Sequence, residues 1–151
     1  MKRITSYLSL VLVGLMIFGV TDVSAKKKKG AVVWPAENIK WQDMPMKDGP
    51  PGAKVAVLWG NMKKGAYGAL VKLPAGMNNP LHTHSSDTKL VVISGTFWYA
   101  PEGGEKKSLG PGSYLLVPKG VKHTSGTDSE CFAFQEGNGK FDFKPVKMVK
   151  K

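Results

Sequence analysis

The sequence predicts an all-β chain folded as an antiparallel barrel or jelly roll. Its apolar segments are short, they recur at regular spacing between glycine and proline turns, and no stretch carries a convincing helical period. Many short strands punctuated in this way suit a closed or double-sheet all-β architecture.

The first 25 residues stand outside that fold. Lys2-Arg3 forms a positive start, Leu8 to Val20 is an apolar run, and Val23-Ser24-Ala25 supplies small residues. These are the three parts of a secretory signal, with cleavage expected after Ala25. The apolar run has 13 residues, short of the roughly 20 that span a bilayer, so no stable membrane insertion is expected. The competing reading is an uncleaved anchor, because Lys26-Lys27-Lys28-Lys29 follows at once and positive charge there resists translocation. Export into the periplasm or medium is the expectation.

Residues 26–53 read as a basic tail followed by a Pro-rich N-terminal arm. Pro35, Pro45 and Gly49-Pro50-Pro51-Gly52 leave room for an extended segment or a short edge strand closed by a turn. The barrel is expected over residues 54–144. Val55 to Trp59 and Tyr67 to Leu73 are its first two predicted strands. Lys89 to Ser94 and Thr96 to Ala100 are the next two, kinked at Gly95. Glu102-Gly103-Gly104-Glu105 suits a hairpin turn, since glycines accept positive φ. Tyr114 to Val117 and Cys131 to Gln135 complete the set, and residues 145–151 read as a basic C-terminal tail.

After cleavage, residues 26–151 suffice for one domain with a real core and are too few for two. Of the formal charge of +11, much sits in lysines of the two tails, which read as solvated. Without aromatics interleaved among those lysines, nucleic acid is not an expected partner. Cys131 is the sole cysteine, so stability must come from packing rather than a disulfide. In Glu130-Cys131-Phe132 it reads as a small buried hydrophobe.

All three histidines fall in two short segments. His82-Thr83-His84 places two imidazoles on one side of a strand, and His123 follows Pro118-Lys119-Gly120. That tripeptide suits a tight turn with proline second and glycine fourth. Imidazoles so arranged can converge on one ion at about 2 Å from each nitrogen. Trp59, Tyr67, Trp98, Tyr99, Phe132, Phe134 and Gln135 lie on predicted strands and read as core. Tyr67 and Gln135 are the preferred pocket exceptions, because each has a polar end that a barrel interior must satisfy.

These segments resemble the two motifs of the cupin superfamily. Gly76, His82, His84 and Gly95 match the first at every spacing, and Gly112, Pro118, Gly120 and His123 match the second. The flanking text, Ala56 to Gly60 and Gly68 to Gly76, is similar to small cupins related to the zinc-binding domain of certain anti-sigma factors. The resemblance implies a double-stranded β-helix of jelly-roll type, a homodimer, and a divalent ion held by His82, His84 and His123. Thr88 stands where the family places a glutamate ligand, and Thr127 where asparagine often stands. Asp87 is one position off and should face away from the cavity. Three neutral ligands suit zinc or iron, with manganese and nickel also open. Metal-free cupins that keep the histidines are the alternative. The expected role is an exported metal or small-ligand binding or sensing module. A three-histidine non-haem iron dioxygenase acting on a small organic molecule is the alternative. In either role Tyr67, Thr88 and Gln135 are the expected pocket residues.

Overall fold

The computed structural model describes residues 30–46 and 49–147. The expected signal sequence, the lysines at 26–29 and residues 148–151 lie outside the described residues. The chain divides into residues 1–32 and residues 33–151, and all that follows belongs to the second unit.

Among the described residues, apart from a single 3-10 turn at Ala36–Asn38, the regular structure is β. The strands are β1 (Gln42–Asp43), β2 (Lys54–Gly60), β3 (Tyr67–Leu73), β4 (Asn78–Thr83) and β5 (Thr88–Pro101). They continue with β6 (Lys107–Leu109), β7 (Tyr114–Val117), β8 (His123–Gly137) and β9 (Lys144–Pro145). All pairings are antiparallel, in the order β1-β2-β3-β8-β4-β9, with β5 beside β8 and carrying β6 and β7. The arm therefore supplies a short edge strand, β1, against β2 of its own chain. The sheet curls into a jelly-roll barrel.

β5 and β8 are the spine of the barrel. β8 runs 15 residues, three times the predicted Cys131–Gln135, because Gly126 and Thr127 continue its ladder with β5 from His123 onward. Its first half pairs with β4 and its second with β3. The two strands predicted on either side of Gly95 are one strand, β5, whose register against β8 shifts between Val92 and Ser94 and again between Gly95 and Phe97. Inward positions alternate through Leu90 and Val92, shift at Ile93, where β5 carries one extra residue, and resume at Phe97 and Tyr99. A bulge inserts one residue and so reverses which parity faces inward. Without that shift, Phe97 and Tyr99 would face out.

The core gathers Val55, Ala69, Val71, Val92 and Ala133, all essentially inaccessible to solvent. Cys131 is buried among them as expected and its thiol is pushed up by burial. Trp59 is not core. It is 47% exposed, and its indole lies across Gly68, where a Cβ would meet Nε1 at 2.1 Å. A bulge between Val57 and Trp59 turns it outward.

Gly95 has φ +75° and a Cβ there would sit 1.8 Å from the Glu130 carbonyl oxygen. Gly103, in the β5–β6 turn, has φ +71° and open space around it. Gly95→Ala should therefore cost more than the ~1–2 kcal/mol of left-handed strain expected for Gly103→Ala. Urea melts of both variants check this, and equal losses would show that the close backbone approach is not the constraint.

Candidate metal centre

His82 lies near the end of β4, His84 just beyond it, and His123 opens β8 directly opposite His82 in register. Alternation puts His82 and His84 on one side, but it does not account for Asn79. Asn79 and His82, three positions apart, both face inward because β4 bulges between them. Pro80 occupies the bulge, where its missing N–H removes no ladder bond that a regular strand would need.

The turn before His123 also differs from expectation. Val121 N donates to Pro118 O at 3.2 Å, which makes proline first and Gly120 third. Gly120 has φ +78°, as the third position of a type II turn requires. Two contacts fix this turn to the other histidine strand. Gly120 N donates to His84 O at 3.0 Å, and Lys119 N donates to Asp87 Oδ1 at 2.8 Å. Asp87 thus turns away from the cavity, its second oxygen accepting from Asn138 Nδ2 at 2.9 Å.

The rings of His82 and His123 are 4.1 Å apart between centroids, those of His82 and His84 5.0 Å, and those of His84 and His123 5.3 Å. One ring nitrogen from each lies within 4.8 Å of the others. Each Nδ1 faces a backbone carbonyl oxygen: His82 to Pro80 at 2.7 Å, His84 to Asp142 at 2.6 Å, and His123 to Val121 at 3.0 Å. A carbonyl only accepts, so Nδ1 carries the proton in all three and each Nε2 keeps a bare lone pair. Burial reinforces neutrality. It pushes His82 down to about 3, with the nearby His123 and His84 adding to the effect against the Pro80 carbonyl. Burial likewise lowers His84 and His123, against the Asp142 and Val121 carbonyls respectively. Three neutral, oriented imidazoles fit a divalent ion bound through His82, His84 and His123.

The C-terminal segment completes the centre, and sequence reasoning assigned it no role. Phe143 stacks on His82 at 4.3 Å and Phe141 lies 5.9 Å from His84. Asp142 gives its carbonyl to His84 and its Oδ1 to Ser85 N at 2.8 Å. Burial would raise the Asp142 carboxyl, but the Ser85 hydrogen bonds, with Lys144 and His84, hold it below its ordinary value. β9 closes the segment, Pro145 pairing with His82, so barrel pairing reaches into the expected tail. The alternation Phe141-Asp142-Phe143 was the available signal.

Beside the histidines is a cavity of ≈ 70 Å³ with a largely apolar wall that includes Met77, Leu90, Phe97 and Leu115. Thr88 and Gln135 line it, and so do Asn79, Tyr99 and Ser125, which sequence reasoning did not select. Tyr67 does not line it. It is fully buried behind Gln135, whose Nε2 donates to Tyr67 Oη at 2.6 Å. Burial pushes the Tyr67 phenol up to about 12 despite that bond, so it stays protonated. Thr127, in place of the family's asparagine, is structural: its hydroxyl donates to Pro74 O, and it exchanges backbone and side-chain bonds with Met77.

Residues 23–144 match the model of the DUF4437 family, described as a domain of unknown function. The chain belongs to the DUF4437 family. Solved structures share the cupin-like fold of this DUF4437 chain. An RmlC-like cupin from Shewanella frigidimarina is 19% identical with a TM-score of 0.56, covering 78% of this chain and 94% of its own. The polyketide cyclase RemF from Streptomyces resistomycificus is 15% identical with a TM-score of 0.58, covering 82% and 88%. KdgF from a Halomonas species is 22% identical with a TM-score of 0.54, covering 75% and 94%. At these identities the likeness is one of fold. None of the curated proteins matches the DUF4437 chain significantly in sequence.

The histidines also set a pH dependence. A folded His82 near 3 against an unfolded value of about 6.5 means the unfolded state binds more protons in between. In the metal-free protein, stability is full above pH ~6.5 and falls as pH drops toward ~3. His82 alone should cost about 2 kcal/mol at pH 5 relative to pH 7.5. Urea midpoints at the two pH values measure this, and His82→Asn should reduce the difference, leaving the part due to His84 and His123.

Proposed function

We propose that the protein is an exported cupin that holds one divalent metal ion through Nε2 of His82, His84 and His123. The observation that carries this reading is the set of three buried imidazoles, each with its Nδ1 spent on a carbonyl and its Nε2 bare. Zinc and iron suit the ligand set best, and manganese or nickel would be accommodated. Such an ion acts as a Lewis acid toward an oxygen of a small molecule. The chain's residues supply the rest: carbonyls hold the rings, Phe143 covers His82, and the apolar wall excludes water from one side. The role favoured is binding or sensing of the metal and a small ligand, because Asp87 and Asp142 are both engaged in hydrogen bonds outside the ligand set.

A non-haem iron dioxygenase is the second reading, favoured by the cavity that adjoins an all-neutral ligand set with Thr88 in place of a carboxylate. Elemental analysis of protein purified from its host should give about one metal ion per chain. His82→Ala, His84→Ala or His123→Ala should each weaken binding by more than the roughly 10–100-fold that an outer-shell change costs. Wild-type metal content in all three variants would refute the site. Oxygen uptake after anaerobic ferrous loading separates the two roles, and stoichiometric zinc with no uptake across a substrate panel would exclude the oxygenase.

Export has its own test. The N-terminus of the mature protein should begin at Lys26, and a chain that starts at Met1 in the cytoplasm would remove the periplasmic assignment.

A further inference from the structure

The cavity wall carries one unmet polar demand. Asn79 is 7% exposed and Ser125 4%, and both line the cavity. Asn79 Nδ2 donates to Ser125 Oγ at 3.0 Å. Asn79 Oδ1 is buried and meets no donor among the described residues. Leaving a buried acceptor without a donor is costly, and buried polar groups in folded proteins are nearly always paired. Turning the amide over would not remove the problem, since both Nδ2 hydrogens would then need acceptors.

This pair stands at a defined place relative to the histidines. Asn79 lies opposite Ser125 in the β4–β8 ladder, as His82 lies opposite His123. His123 and Ser125 are two positions apart on β8 and face the same side, about 7 Å from one to the other. The interval is bordered by Tyr99, Leu90 and Phe97, and no charged side chain lines the cavity. Its ≈ 70 Å³ is about half the ~150 Å³ that accommodates benzene in an engineered apolar cavity.

We propose that the cavity selects a small uncharged ligand of about four or five heavy atoms with an oxygen at one end and an N–H or O–H donor at the other. The oxygen faces the three-histidine centre, the donor meets Asn79 Oδ1, and the short body between lies on the apolar wall. Primary amides and small alcohols of hydroxy or oxo compounds have this form. The inference rests on the metal-binding reading, since the oxygen end needs an ion to meet.

Hydroxyacetone and butanone provide the test. The two have the same shape and the same carbonyl oxygen, and only hydroxyacetone carries an O–H donor at the other end. Zinc content is measured first on the sample used. With about one zinc per chain, titration followed by protein NMR should show hydroxyacetone binding roughly tenfold more tightly than butanone, the size of one satisfied buried acceptor. Asn79→Leu should abolish that preference while keeping wild-type zinc content. If Asn79→Leu fails to fold, Ser125→Ala, which frees the amide, should reduce the preference instead. Equal affinity for the two ligands, or binding of neither by the zinc-loaded protein, would overturn the ligand assignment and leave the metal site standing. Failure to take up zinc, iron, manganese or nickel would sink both.

Discussion

Three carbonyl oxygens govern this centre. Each fixes the orientation and tautomer of one imidazole, and only two of them come from residues near the ring they hold. Pro80 and Val121 each precede their histidine by two positions, so these contacts arise wherever the strand begins correctly. The Asp142 carbonyl instead reaches His84 across 58 residues. The geometry of the centre therefore depends on long-range closure as well as on local strand chemistry. A backbone oxygen cannot be removed by changing a side chain, which makes the arrangement robust to substitution but sensitive to displacement of the segment that bears it.

Bulges do the complementary work. Strands alternate faces with period two, so a barrel lining must keep parity or change it deliberately. At Pro80 the change brings Asn79 onto the side of His82, and at Ile93 it brings Phe97 and Tyr99 onto the side of Leu90 and Val92. One cavity then receives histidine, polar and apolar residues from strands whose plain alternation would have scattered them. Gly95 is suited to its place because any Cβ would strike the Glu130 carbonyl.

The jelly roll and the histidine cluster were legible in the sequence because both are written in short-range spacing. The turns carry glycine and proline, the strands are apolar at the right lengths, and the histidines sit within two compact segments. Asp87 facing away follows from strand parity alone. What escaped depends on contacts between distant positions. The length of β8 comes from pairing that polar residues such as Ser125 and Thr127 do not advertise. Trp59 was misplaced because a bulge reversed its side, and Tyr67 because a polar end satisfied by Gln135 looks the same in sequence as one facing a cavity. The contribution of Phe141, Asp142 and Phe143 was hidden by the neighbouring lysines, which resemble a solvated tail.

The closing segment has a temporal meaning. A chain is made and translocated from its N-terminus, so β2 to β8 can pair before Asp142 has arrived. Until it does, His84 lacks the carbonyl that selects its tautomer and His82 lacks the aromatic ring that covers it. The three-histidine cluster is thus completed only when the closing segment docks. If the chain is exported and takes up an ion there, as proposed, that ion would be chosen by the compartment where folding ends rather than by the one where synthesis began.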